Sequence, residues 1–221
     1  MSVSACCLKG FEWEGTPTGR TTKLAKNDAY IVGDNPDVAI IIIHDLLGWT
    51  FPNVRLLADH YAGETNATVY IPDFFGGEVL PFEPILRGET LREKYKKVGV
   101  AGFCYGGWAA FRLGAKEHQP PLVDCVTVGH PSLLTKKDID ETAVPVQILA
   151  PEHDPVCTSE LKRYTFDMVS SLGVPFDYQH YPGVEHGCLT RGDSNKAGDR
   201  EAMARGKNAA VSWFTQWLHQ S

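Results

Sequence analysis

The sequence predicts an α/β fold with a mostly parallel central sheet flanked by helices on both faces. Three observations carry that expectation. The run Val-Ala-Ile-Ile-Ile-Ile over residues 38–43 is continuously apolar and has the length of a strand covered on both sides. Apolar segments of strand length alternate along the chain with segments whose apolar residues recur at helical spacing. The residue types able to do chemistry fall just past the strands, where such sheets gather function.

The elements follow in order. The first 27 residues, rich in Gly, Thr and Lys, read as an irregular arm with room for a short hairpin. Residues 29–32 suit an edge strand, and 38–44 form the central one. Residues 52–61 repeat apolar positions at helical spacing, with Pro52 at the start, where its missing N–H costs nothing. A short strand at 68–71 ends at Pro72-Asp73. Residues 97–103 form a strand and 108–113 a helix; 122–128 and 144–150 are strands. Residues 159–172 are helical, closed by Gly173 and followed by Pro175. A strand at 176–181 precedes a final helix, 200–218, with Val211, Phe214 and Leu218 on one side. With no repeat or low-complexity tract, residues 1–221 are expected to form a single domain.

Composition narrows the function. Lys and Arg total 21 against 27 Asp and Glu, a net charge of −6, which argues against a nucleic-acid binder. No apolar stretch approaches the roughly 20 residues that span a bilayer. The N-terminus lacks the basic and apolar regions of a signal peptide, so a cytoplasmic, reducing compartment is expected. The six cysteines (6, 7, 104, 125, 157 and 188) form no CxxC pair. They are expected as free thiols, and neither a metal nor a cofactor is expected.

Three loops carry chemistry. Gly102-Phe-Cys-Tyr-Gly-Gly107, between a strand and a helix, has the G-x-nucleophile-x-G pattern of a nucleophile elbow with cysteine as nucleophile. Glycines on both sides let strand and helix crowd together while Cys104 takes a strained backbone conformation, and the helix N-terminus beside it favours a thiolate. The plain alternative is a buried structural cysteine at a Gly-rich turn. Ala150-Pro-Glu-His-Asp-Pro155 follows a strand and offers Asp154, with Glu152 in reserve, to orient a histidine; taken alone, it reads as a turn or helix-capping acid before Thr158. Tyr181-Pro-Gly-Val-Glu-His-Gly187 offers His186 as base, although a lone loop histidine is ordinarily solvated surface. The chain order Cys104, Asp154, His186, each just past a strand, is the nucleophile–acid–histidine order of α/β-hydrolases and favours the triad. A fourth segment, His44-Asp-Leu-Leu-Gly-Trp49, ends the most buried strand. There the backbone N–H groups of Leu46 and Tyr105 would form an oxyanion hole. Asp45 would lie near the thiol; strand-end solvation explains His44 and Asp45 equally well.

On these residues the chain resembles the dienelactone hydrolase family, most closely its fungal members, over nearly its whole length. The matching stretches include residues 6–11, 44–52 and 72–77, then 102–107, His130-Pro-Ser132, 150–154 and 182–187. The cysteine elbow discriminates, because most α/β-hydrolases use serine. The resemblance implies a single α/β-hydrolase domain with a Cys104–His186–Asp154 triad. It also implies hydrolysis of lactones, typically enol-lactones of the dienelactone type, or of other activated esters. The family's acid at the position of Asp45 is glutamate in bacterial members, one methylene longer. Arg191 resembles an arginine that holds the substrate carboxylate, one residue further from the histidine than in those members. Residues 73–96 are fewer than relatives usually carry there.

Trp49, Phe74, Phe75, Tyr105 and Trp108 are aromatic candidates for a pocket, with core packing equally able to explain Trp108. The expected partner is a small lactone or ester, and the expected state a monomer or homodimer. Rival readings are a broad carboxylesterase or thioesterase, a non-catalytic binding protein that keeps the elbow, and thiol redox signalling by Cys6 and Cys7. Adjacent cysteines bridge only with strain, which disfavours the last.

Overall fold

A computed structural model describes residues 10–74, 89–92 and 94–220. Its strands are β1 (Arg20–Leu24), β2 (Asn27–Val32), β3 (Val38–Ile43), β4 (Thr68–Pro72), β5 (Lys97–Phe103), β6 (Cys125–Gly129), β7 (Val146–His153) and β8 (Phe176–Glu185). They form one sheet in the order β1-β2-β4-β3-β5-β6-β7-β8. From β4 to β8 every pairing is parallel, while β1–β2 and β2–β4 are antiparallel. The helices are α1 (Pro52–Thr65), α2 (Glu89–Arg92), α3 (Tyr105–Leu113), α4 (Lys136–Asp140), α5 (Ser159–Ser171), α6 (Cys188–Arg191) and α7 (Ala197–Leu218). This is the α/β-hydrolase fold.

The apolar run of β3 explains the layering. Ala39, Ile41 and Ile43 face a core shared with Ala109, Phe111 and Leu113 of α3 and Val169 of α5. Val38, Ile40 and Ile42 face the other core, built from Val54, Leu57 and Tyr61 of α1 and Trp213, Phe214 and Leu218 of α7. Alternate side chains of one strand thus feed two cores, which is why the run shows no polar interruption.

Several boundaries move. The arm contains β1, which pairs with β2, so the segment expected at the sheet edge lies one strand inside it. Helix α3 begins at Tyr105 rather than Trp108, because the helix opens directly after Cys104. Strand β8 extends to Glu185, through residues expected as loop, because His186 N–H bonds to the His153 carbonyl at 3.1 Å and Glu185 pairs with His153. Helix α4 was not expected; Thr135 and Asp138 close a capping box at its start. The short segment at 73–96 and the Cys6-Cys7 pair lie largely or wholly outside the described residues, as does Phe75.

Candidate active site

The parallel strands end together. The register sets Ile43 of β3 against Gly102, Phe103 of β5 against Gly129, and Gly129 of β6 against Leu149. The residues that follow, Asp45, Cys104, His130, Asp154 and His186, therefore emerge along one end of the sheet. All five are buried.

Cys104 sits at the junction of β5 and α3 with φ 55° and ψ −117°, a backbone conformation unfavourable for a residue with a Cβ. Its N–H bonds to the Gly129 carbonyl at 3.1 Å, and its carbonyl accepts from Ser132 N–H at 2.8 Å and Gly107 N–H at 3.0 Å. The flanking glycines are required sterically. A Cβ on Gly102 would run into the Gly106 carbonyl, one on Gly106 into the Ile43 carbonyl, and one on Gly107 would lie 2.7 Å from Pro131 Cβ. At Gly102 and Gly106 the crowding that the elbow pattern implied is therefore against backbone, and at Gly107 it is against Pro131.

His186 Nδ1 lies 3.0 Å from both Asp154 carboxylate oxygens. A carboxylate only accepts, so Nδ1 carries the proton in this pair and Nε2 is the nitrogen available as base. Asp154 Oδ1 also accepts from the amides of Val156 and Cys157, each at 2.9 Å. The cap of α5 is Thr158, not Asp154, which removes the capping explanation. Glu152 is exposed and accepts from Gly183 N–H at 2.7 Å, tying down the end of β8 ahead of His186.

The acidities follow from this packing. Burial lowers His186, but its hydrogen bonds to Asp154 and then the neighbouring Cys104 raise it to about 9. Burial pushes the Cys104 thiol up, yet His186, then Ser132 and Arg191, bring it below the ordinary cysteine value. Nε2 of His186 has no hydrogen-bond partner among the described residues. Cys125 and Cys157 move the other way, raised chiefly by burial.

The remaining candidates are distributed less simply. Asp45 Oδ1 accepts from Leu47 N–H at 2.9 Å; Oδ2 accepts from the Thr190 hydroxyl at 2.9 Å and lies 3.7 Å from Arg191 Nη1. Its carboxylate is thus engaged with its own turn and with α6. Arg191 is only 3% exposed and packs against Gly187, at a position where a Cβ would collide with its guanidinium. Leu46 stands at the tip of the Asp45–Gly48 turn, 42% exposed, and Tyr105 opens α3. Trp49 is covered by Arg55, whose guanidinium lies 4.9 Å from the ring centroid and whose Nε donates to the Trp49 carbonyl. Phe74 is buried in the core against His44, ring centroids 5.5 Å apart. Tyr105 and Trp108 pack on each other at 5.8 Å. A cleft of about 310 Å³ is lined by Phe11, Glu185, His186, Arg191 and Lys196, among others.

Two residues beside the thiol were not singled out as functional from the sequence. Ser132 Oγ lies 3.0 Å from Cys104 Sγ. His130 is fully buried, at φ 36°, with its ring centroid 4.8 Å from that of His186 in an edge-to-face arrangement. Neither of its ring nitrogens has a hydrogen-bond partner among the described residues. Both residues follow a strand, the placement that drew attention to the other loops.

Residues 85–218 match the model of the dienelactone hydrolase family. The chain belongs to that family. Hydrolase tropI of Talaromyces stipitatus is 26% identical to this dienelactone hydrolase relative, over all of the chain and 98% of its own length. The carboxymethylenebutenolidase homolog of Homo sapiens is 25% identical over 96% of each. Among solved structures, carboxyl esterase 2 of Tuber melanosporum superposes with a TM-score of 0.68 at 15% identity, covering 94% of this chain and 90% of its own. That last likeness is one of fold. The family assignment makes the protein a carboxylic ester hydrolase, acting on esters or lactones. Among the described residues no helix is long and apolar enough to cross a membrane.

Proposed function

We propose that this family member hydrolyses lactones or activated esters, enol-lactones foremost, through a Cys104–His186–Asp154 triad and a thioester intermediate. The observation that carries the reading is the strained Cys104 at a helix N-terminus, its thiol made more acidic by a histidine that Asp154 holds through both oxygens. The names of the relatives, a hydrolase and a carboxymethylenebutenolidase homolog, agree with the substrate class.

The steps follow from the chemistry of the groups. The Cys104 thiolate bonds to the substrate carbonyl carbon, and the carbonyl electrons move to oxygen. The amides of Leu46 and Tyr105 are assigned to that oxyanion. Collapse breaks the bond to the alkoxide or enolate, which takes a proton from His186. Water then gives a proton to Nε2 and attacks the thioester, releasing the acid and restoring the thiolate. A thiolate is itself a good leaving group, so against a poor alkoxide the adduct reverts; activated esters and enol-lactones suit the site best. The buried Arg191, beside His186, is assigned to a substrate carboxylate, with Asp45, Trp49 and Phe74 shaping the same end of the sheet. The test is Cys104→Ala with p-nitrophenyl acetate and an enol-lactone. Hydrolysis of both should disappear, and retained turnover would remove Cys104 from the mechanism.

A further inference from the structure

We propose that Ser132 is a positioning residue for the nucleophile, its hydroxyl donating a hydrogen bond to the Cys104 thiolate while its backbone clamps the elbow. The proposal rests on the reading of Cys104 as nucleophile and adds a residue to it.

The geometry is a double contact. Ser132 Oγ lies 3.0 Å from Sγ, and Ser132 N–H bonds to the Cys104 carbonyl at 2.8 Å. One residue earlier, Pro131 packs where Gly107 has no side chain, and Gly129 accepts the Cys104 N–H. The turn over 129–132 therefore holds the nucleophile by its N–H, its carbonyl and its sulfur. His130 takes a left-handed φ to let the turn do so.

Protonation decides what the contact does. A thiol can give its hydrogen to Oγ or accept one; a thiolate can only accept, so the hydroxyl must turn and donate. Such a bond is stronger to the charged form, and it biases the sulfur toward that form. Its direction agrees with the acidity of Cys104, to which Ser132 contributes after His186. In the thioester the sulfur is neutral and a weak acceptor. The bond is therefore lost on acylation and regained when the thiolate leaves. Lower basicity also makes a weaker nucleophile, so Ser132 helps near neutral pH through the larger thiolate fraction.

The experiment is the pH dependence of Cys104 alkylation by iodoacetamide, followed by peptide mass spectrometry in Ser132→Ala, Ser132→Val and Ser132→Thr. The Ala and Val variants should shift the midpoint upward by roughly one pH unit, with about tenfold slower alkylation below both midpoints. The Thr variant, isosteric with Val but carrying a hydroxyl, should restore the wild-type midpoint. An unchanged midpoint in Ala and Val overturns the proposal. So does an equal shift in Thr and Val, which would make packing the cause. Failure of the underlying reading looks different: Cys104 in the unaltered protein would then alkylate no faster than Cys125 or Cys157.

Discussion

Replacing Asp154 with Asn tests the electrostatic core of the proposed triad. In the folded protein His186 is raised from 6.5 to about 9, with Asp154 the leading favourable cause and Cys104 the next. That displacement of about 2.5 pH units corresponds to at most about 3 kcal/mol favouring the imidazolium, of which Asp154 supplies the larger part. Asparagine keeps an oxygen for the Val156 and Cys157 amides, so the turn survives. Its NH2 then faces Nδ1 and favours the tautomer with the proton on Nε2, which cannot serve as base. Burial, no longer opposed by a carboxylate, leaves His186 neutral at pH 7. The thiol loses its cationic neighbour, and kcat/KM for an aryl ester should fall roughly 10²- to 10³-fold. The Cys104 alkylation midpoint should rise in parallel. Stability has a definite sign as well. A raised histidine stabilises the fold in full below pH 6.5 and loses that contribution as pH rises through about 9. Asp154→Asn should therefore lower Tm most near pH 6 and less near pH 10. Hydrolysis within about threefold of wild type, with an unmoved alkylation profile, would refute the reasoning.

Three further outcomes follow from the same geometry. Glu152→Gln should leave ester hydrolysis within a few-fold of wild type in a steady-state assay, because that exposed acid serves Gly183 rather than His186. Gly106→Ala places a Cβ on the Ile43 carbonyl and should cost about 3 kcal/mol or more, read as a large fall in Tm or loss of soluble protein. His44 is held below and His130 well below the ordinary histidine value, chiefly by burial, so both take up a proton more readily when unfolded. Stability should drop as pH falls below 6.5, by up to about 1.4 kcal/mol per pH unit for a fully displaced histidine, and His130→Phe should reduce that slope in denaturant titrations.

Much of the fold was legible because burial on two faces leaves an unmistakable trace. Residues 38–43 could only be a covered strand, and the Lys97–Phe103 strand was placed to the residue. The elbow was legible because its glycines are demanded by backbone contact, which no side chain can meet. The less legible parts depend on partners distant in sequence. The extension of β8 to Glu185 comes from pairing with His153, and β1 exists because β2 offers it an edge. Trp49 meets Arg55 and Phe74 meets His44, contacts that no local pattern encodes.

The sequence by itself determined the layered α/β architecture, the family and the three loops that hold Cys104, Asp154 and His186. These are matters of period, of obligatory glycines and of order along the chain. Only the tertiary structure decided which acid meets the histidine: Asp154 reaches His186, while Glu152, two positions earlier, bonds to Gly183 instead. It alone brought Ser132 to the sulfur and His130 to the edge of His186, and it bound Asp45 to Thr190 and Arg191. A residue's type sets the chemistry available to it. Which hydrogen bonds and charges reach it is set by strand register and packing, which act across the whole chain.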